Sequence, residues 1–263
     1  MIQGEVPNNV YTRNFLIEVL AKVDFGMEIE DIKDDLPIDL EKAVINICPV
    51  VTFNNKVDET YEFVAGSDNE IIKRANKNVY KEWTFFDGDK SRKVKINKDF
   101  MSISYSIYES FDILKDEFTT LLDALIESFP EITIKRFGLR YIDNIEPNKY
   151  TDTEEPLYKW EKYINSGLLS VFNFIEGGPD VSRVFHKVLF HYPDMKLWFQ
   201  FGMHNPLYPA PIKTKQFILD CDAFSVGSFN RTDIASKIDE YHNEIKRVFE
   251  SSITEGLREL MKE

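Results

Sequence analysis

The 263-residue chain carries a formal net charge of −13, and 43% of its residues are apolar. The charge argues against a general nucleic-acid-binding surface, because phosphates need local cations, and favours solubility or a basic protein partner. With 21 Phe and 12 Tyr against 11 Gly and 11 Pro, neither a disordered chain nor a fibrous repeat fits, and the length suits one large domain or two intimate ones.

The opening MIQGEVPNNV lacks a basic region followed by an apolar run, and no stretch approaches the roughly 20 apolar residues that span a bilayer. Cys48 and Cys221 both lie in apolar company. The expectation is a cytoplasmic protein with reduced, packing thiols and no membrane contact.

FLIEVLAKVDF (15–25) reads as a first strand, with Phe15, Ile17, Val19, Ala21, Val23 and Phe25 on one face and Glu18 among the opposite residues. The acidic 27–42 segment reads as a solvated connection able to carry a short helix. Residues 42–64 hold apolar patches that suit strands, of unclear register. The polar segment 68–82 suits a linker or an edge element. Three strands follow, around 83–86, through Val94 and Ile96, and over Met101, Ile103 and Tyr105, with a turn at Asp87-Gly88.

The period then changes. Phe111, Leu114, Phe118, Leu121, Leu122, Leu125 and Phe129 form a helical stripe that stops at Pro130. The strand 131–145 comes next, then two strands around a turn near Pro193-Asp194, a proline-rich connection at 204–213 and a strand at 215–226. A helix from about Asp233 through Leu260 closes the sequence, with Thr254 as an interruption or as the N-cap of a final turn. Strands followed by one amphipathic helix thus occur twice. The expected fold is α+β, with pseudo-duplicated antiparallel sheets, each half laying a long helix across its sheet, and halves at 1–150 and 151–263.

Three stretches carry a likeness: FLIEVLAKVDF, RFGLRYIDNI (136–145), and HNEIKRVFESSITEGLREL (242–260) with its His followed by Phe-x-x-x-Ile-Thr. In these the chain resembles a sporadically distributed family of bacterial and archaeal proteins of about this length. The family motif at 136–143 runs close to R-x-G-L-R-Y-I-N, so Asp143 departs from an Asn. The resemblance implies no agreed enzymatic role. Its sporadic distribution implies an accessory component, of the antitoxin, immunity or phage-defence kind, and it draws attention to His242 and Thr254.

In RFGLRYIDNI a regular strand puts Arg136, Gly138, Arg140, Ile142 and Asn144 on one face and Phe137, Leu139, Tyr141 and Asp143 on the other. The second face should meet helices. The first offers guanidinium forks for a carboxylate or phosphate ligand, with Gly138 allowing close approach. It equally suits a structural network in which Arg140 pairs with Glu18, or a protein interface. Asp220 and Asp222 bracket Cys221 and share an outward face.

No zinc spacing joins His186, His191, His204 or His242, and His242 suits a bond inside the fold better than proton abstraction. No nucleophile elbow surrounds Ser251 or Ser252, and neither a P-loop nor a dinucleotide fingerprint occurs. No catalytic residue, cofactor or metal is therefore expected. Lys90, Arg92, Lys93, Lys95 and Lys98 make the most basic stretch, a candidate phosphate contact beside Trp83 and Phe86. The leading reading is a non-enzymatic interaction protein that meets a neighbour-encoded partner or a second copy. A small-molecule or nucleotide module on the Arg136/Arg140 face, enzymatic or not, and nucleic-acid engagement through 90–98 are the alternatives.

Overall fold

The computed structural model describes residues 11–32, 34–65, 71–150, 160–174, 181–210 and 216–262, with the backbone alone at 59–65, 71–76 and 173. The opening ten residues, in which no leader pattern is read, and the end of the proline-rich connection lie outside the described residues. Nine strands are β1 (Leu16–Phe25), β2 (Val50–Ala65), β3 (Ile71–Phe86), β4 (Arg92–Ile96), β5 (Phe100–Tyr105), β6 (Ile134–Ile145), β7 (His186–His191), β8 (Lys196–His204) and β9 (Gln216–Phe229). The α-helices among the described residues are α1 (Ile38–Ile47), α2 (Phe111–Ser128), α3 (Arg231–Ser252) and α4 (Glu255–Lys262).

The fold is α+β, but the strands form one open antiparallel sheet, ordered β2-β3-β4-β5-β1-β6-β9-β8-β7, where separate sheets were expected. The reason is the seam at its centre. β1 pairs with β6 from Leu16↔Asp143 to Phe25↔Ile134, so two strands from distant parts of the chain are direct neighbours. Their apolar sides merge into one core: Val19, Ala21 and Val23 of β1 and Phe137, Leu139 and Ile145 of β6 are all buried. Phe137 stacks between Phe118 of α2, at 5.5 Å, and Tyr241 of α3, at 5.2 Å between centroids. The helices thus cover one side of the sheet, as the two long stripes require.

Local signals set the helix starts. The Ser110 hydroxyl accepts from the Ile113 amide at 3.3 Å, and Asn230 and Asp233 form a reciprocal capping box on α3. The Lys115 ammonium reaches Asp239 at 2.7 Å and Arg231 pairs with Asp123, tying α2 to α3.

Three expectations change. Ile17 leaves the buried face and is exposed, because a register shift between Leu16 and Glu18 turns the strand there. Residues 38–47 form α1 with Leu40 and Val44 buried, so the acidic connection runs into a helix and the 42–64 patches begin as one. Residues 71–82 belong to a full strand, β3, paired along β2. The last helix is interrupted as expected, at Ile253, which bridges to Ile164, and α4 restarts directly after Thr254, whose carbonyl accepts from the Arg258 amide. The Thr254 hydroxyl donates to the Lys162 carbonyl and its amide to that of Tyr163, so the break is an anchor on the 160–165 segment.

Candidate functional site

The open side of the central strands carries the charged residues singled out by the sequence. Register places Lys22 beside Gly138 and Asp24 beside Arg136, then Gly138 beside Phe224 and Arg140 beside Asp222. β6 is interior to the sheet, so these groups have a strand on either side.

Arg140 is engaged by Asp220, not Glu18. Its Nε and one terminal nitrogen donate to the two Asp220 oxygens at 2.8 and 2.7 Å, a bidentate fork. The Gln200 amide donates to Asp220 Oδ2 at 3.0 Å. Glu18 contributes only a weak field at Arg140, whose pKa is raised first by the bond to Asp220. Glu18 and Asp220 both lie opposite Ile142, one on each neighbouring strand, so register offers Arg140 a carboxylate on either diagonal and the fork goes to Asp220.

Arg136 lies along its own strand. Its terminal nitrogen meets Asp222 at 3.3 Å, another is 3.6 Å from Asp24, and its guanidinium covers the Phe224 ring at 4.7 Å. A Cβ on Gly138 would fall 3.0 Å from that guanidinium. The glycine therefore makes room for Arg136 itself rather than for an approaching ligand. Asp222 is pushed above the usual carboxylate range by burial, against the pull of Arg136 and Arg140. Asp24 also takes the Lys22 ammonium at 2.7 Å. The hollows at the β7–β8 turn, beside Arg247 and beside Pro130 are lined by other residues than Arg136, Gly138 and Arg140.

The other side of β6 holds a buried polar chain that sequence reading missed. The Tyr108 and Tyr141 hydroxyls are 2.9 Å apart, and the Tyr141 hydroxyl is 2.9 Å from His242 Nδ1. Phe111 stacks on the imidazole at 3.9 Å. Burial, with Lys246 adding to it, lowers the His242 pKa to about 4, and burial raises Tyr141 well above its ordinary value. His242 is thus a neutral, bonded core histidine. Asp143, two residues beyond Tyr141, is buried, and its carboxyl makes no hydrogen bond among the described residues; burial pushes its pKa up to about 8. A protonated Asp offers one O–H donor beside its acceptor oxygens.

The basic stretch is dispersed. Arg92 turns to the helix side and pairs with Glu109 and Glu117, each at 3.0 Å. Lys98 is buried against Glu28 at 2.7 Å and Asp58 at 3.1 Å. Lys95 meets Glu82 at 3.5 Å on the open side, and Lys93 shares that side by register with Ser104. Lys90 occupies the turn with a φ of 63° and lies 5.9 Å from the Phe86 ring centroid. Local charge pairing accounts for most of the cations that looked like a phosphate track.

Among the described residues no cluster of three or more His, Cys, Asp or Glu side chains is arranged to hold a metal ion, and no helix is long and apolar enough to cross a membrane. Cys48 and Cys221 are buried and unbridged, and burial raises both thiols. No protein-family model matches the chain, and no characterised protein does.

Proposed function

We propose that the chain is a non-enzymatic interaction protein that docks a partner protein through the β2–β3 ribbon. One observation carries this reading. β2 and β3 pair along sixteen residues each, from Val50↔Phe86 to Ala65↔Ile71, yet β4 meets β3 only at Trp83–Phe86. The rest is a two-stranded arm beyond the sheet. On the side continuous with the core, Phe53, Val57 and Val79 are 54%, 51% and 57% exposed. An isolated two-strand ribbon is marginal in water, and a clustered apolar surface of this kind marks a docking site. Register also places Lys81 opposite Asn55 there, with its ammonium 5.3 Å from the Phe53 ring centroid.

The accessory role in antitoxin, immunity or defence systems follows from the family resemblance, and cytoplasmic residence from the two unbridged thiols. We also read the chain as an internal duplication: β1 pairs with β5 and is followed by α2, while β6 pairs with β9 and is followed by α3. The ligand-binding alternative has less support, because both guanidiniums on its face already hold carboxylates. The nucleic-acid alternative has less support for the same kind of reason at Arg92, Lys95 and Lys98.

Affinity purification at native expression, over a range of salt, tests the reading. A stoichiometric partner is expected with the wild type, and none with a Phe53→Glu/Val79→Glu variant of unchanged melting midpoint. A wild-type chain recovered alone at every salt concentration overturns it, and self-association alone replaces the partner with a second copy.

A further inference from the structure

At the opposite edge of the sheet from the ribbon, the β7–β8 turn, the end of β9 and α3 enclose a cavity of about 390 Å³. That volume lies within the roughly 300–1,000 Å³ common to small-molecule sites. Met195, Phe224, Val226 and Phe229 supply its apolar lining, and Lys196 and Lys237 its cations.

The two lysines differ from the ion-paired cations described above. Arg136, Arg140, Arg92, Lys98 and Lys115 each hold a carboxylate. Lys237 is half-buried, yet among the described residues its ammonium meets only the Asp194 carbonyl, at 3.2 Å, and the Phe229 and Tyr241 rings, at 5.7 and 5.9 Å from their centroids. Lys196 is exposed at the rim and has no ion pair among the described residues. Asp194 also enters the lining without pairing with either lysine. In a chain of net charge −13, two uncompensated ammoniums beside one apolar hollow are a selective feature.

The polar groups around the hollow are otherwise committed. The Ser225 hydroxyl donates to the Asp194 carbonyl and accepts from Tyr241, and the Tyr192 hydroxyl donates to Glu244. Arg136 packs on the Phe224 ring and holds that wall in place. The site is therefore built to accept charge from lysines and shape from aromatic rings.

We propose that this cavity binds a small organic carboxylate with a flat apolar body. The carboxylate lies against Lys237 and Lys196, and the body lies along Phe224, Phe229 and Met195. This assignment is independent of the ribbon and stands or falls separately from it.

Titration calorimetry of the full chain with 2-naphthoate and with neutral 2-naphthamide tests it. Naphthoate is expected to saturate one site and to bind at least tenfold more tightly than the amide. Lys237→Met, which keeps the stem and removes the charge, should weaken naphthoate at least fivefold. Val226→Glu, which sets a carboxylate at the exposed lip, should do the same, with both variants melting like the wild type. Absence of saturable binding by the wild type, equal binding of acid and amide, or unaltered binding by Lys237→Met overturns the proposal.

Discussion

Asp143 and Asp220 sit at the same depth on opposite sides of the sheet, each 7% exposed, and meet opposite fates. Asp220 takes two guanidinium N–H groups and one amide N–H on the open side. Asp143 faces the helices, in register with Leu16 and Leu219, and finds nothing to bond. Depth alone does not decide whether a buried carboxyl is a support or a cost. The partner does, because an unpaired charge keeps its full desolvation penalty while a forked pair offsets it.

The sharpest way to break this comparison is pH. Folded Asp143 holds its proton up to about pH 8, whereas an exposed Asp releases it near 3.8. Between those values folding takes up a proton, so this contribution to stability falls as pH rises. Asp143→Asn should match the wild type near pH 4 and exceed it by on the order of 5 kcal/mol at pH 8. His242 acts in the opposite sense. Its folded pKa is about 4 against 6.5, so its contribution is present above pH 6.5 and lost as pH falls to 4. Lys246, Asp239 and Asp112 supply the nearby charges, and Tyr141 and Phe111 the contacts. The two slopes cancel between about pH 4 and 6.5, and removing Asp143 exposes the histidine's. Urea unfolding from pH 4.5 to 8.5 reads both; parallel profiles for wild type and Asp143→Asn would refute the assignment.

Cutting the paired side should cost less. The Arg140 side chain is 36% exposed, so the wet end of the pair softens the loss. Arg140→Ala should lower stability by about 2–3 kcal/mol, below the range for a fully buried pair. The check is the urea midpoint. An unchanged midpoint together with lost partner binding would make Arg140 a docking residue instead.

The smallest effect belongs to Gly138. Gly138→Ala pushes only the end of a flexible side chain, so about 1 kcal/mol is expected, through loss of the Arg136–Asp222 contact. In an Arg136→Ala background the same change should cost almost nothing. Additive losses in that cycle would place the strain elsewhere.

Alternation and stripe were enough to find β1, β5, β6, α2 and most of α3 in the sequence, because each buries one regular side. They were also enough to assign Tyr141 and Asp143 to the helix side and Arg136 and Arg140 to the open side. β3 was obscure because most of it lies in a ribbon with little core to face, so neither alternation nor an apolar run develops. Asp220 was visible as a strand residue but not as the partner of Arg140. That depends on how β9 registers against β6, about eighty positions away in the chain, for which no local pattern exists. The solitude of Asp143 was equally hidden, since its neighbours come from strands and helices that meet only after folding.

The seam between β1 and β6 also orders events in time. β1 ends at Phe25, but the strands that cover its two edges begin at Phe100 and Ile134. A growing chain therefore holds its most apolar strand with both edges unpaired until β5 is made, and with one edge unpaired until β6 follows, the condition under which nascent strands aggregate. Closing such distant pairings first is slow, which places refolding in the millisecond-to-second range typical of non-local β topologies. The central strand is first to be synthesised and among the last to be secured.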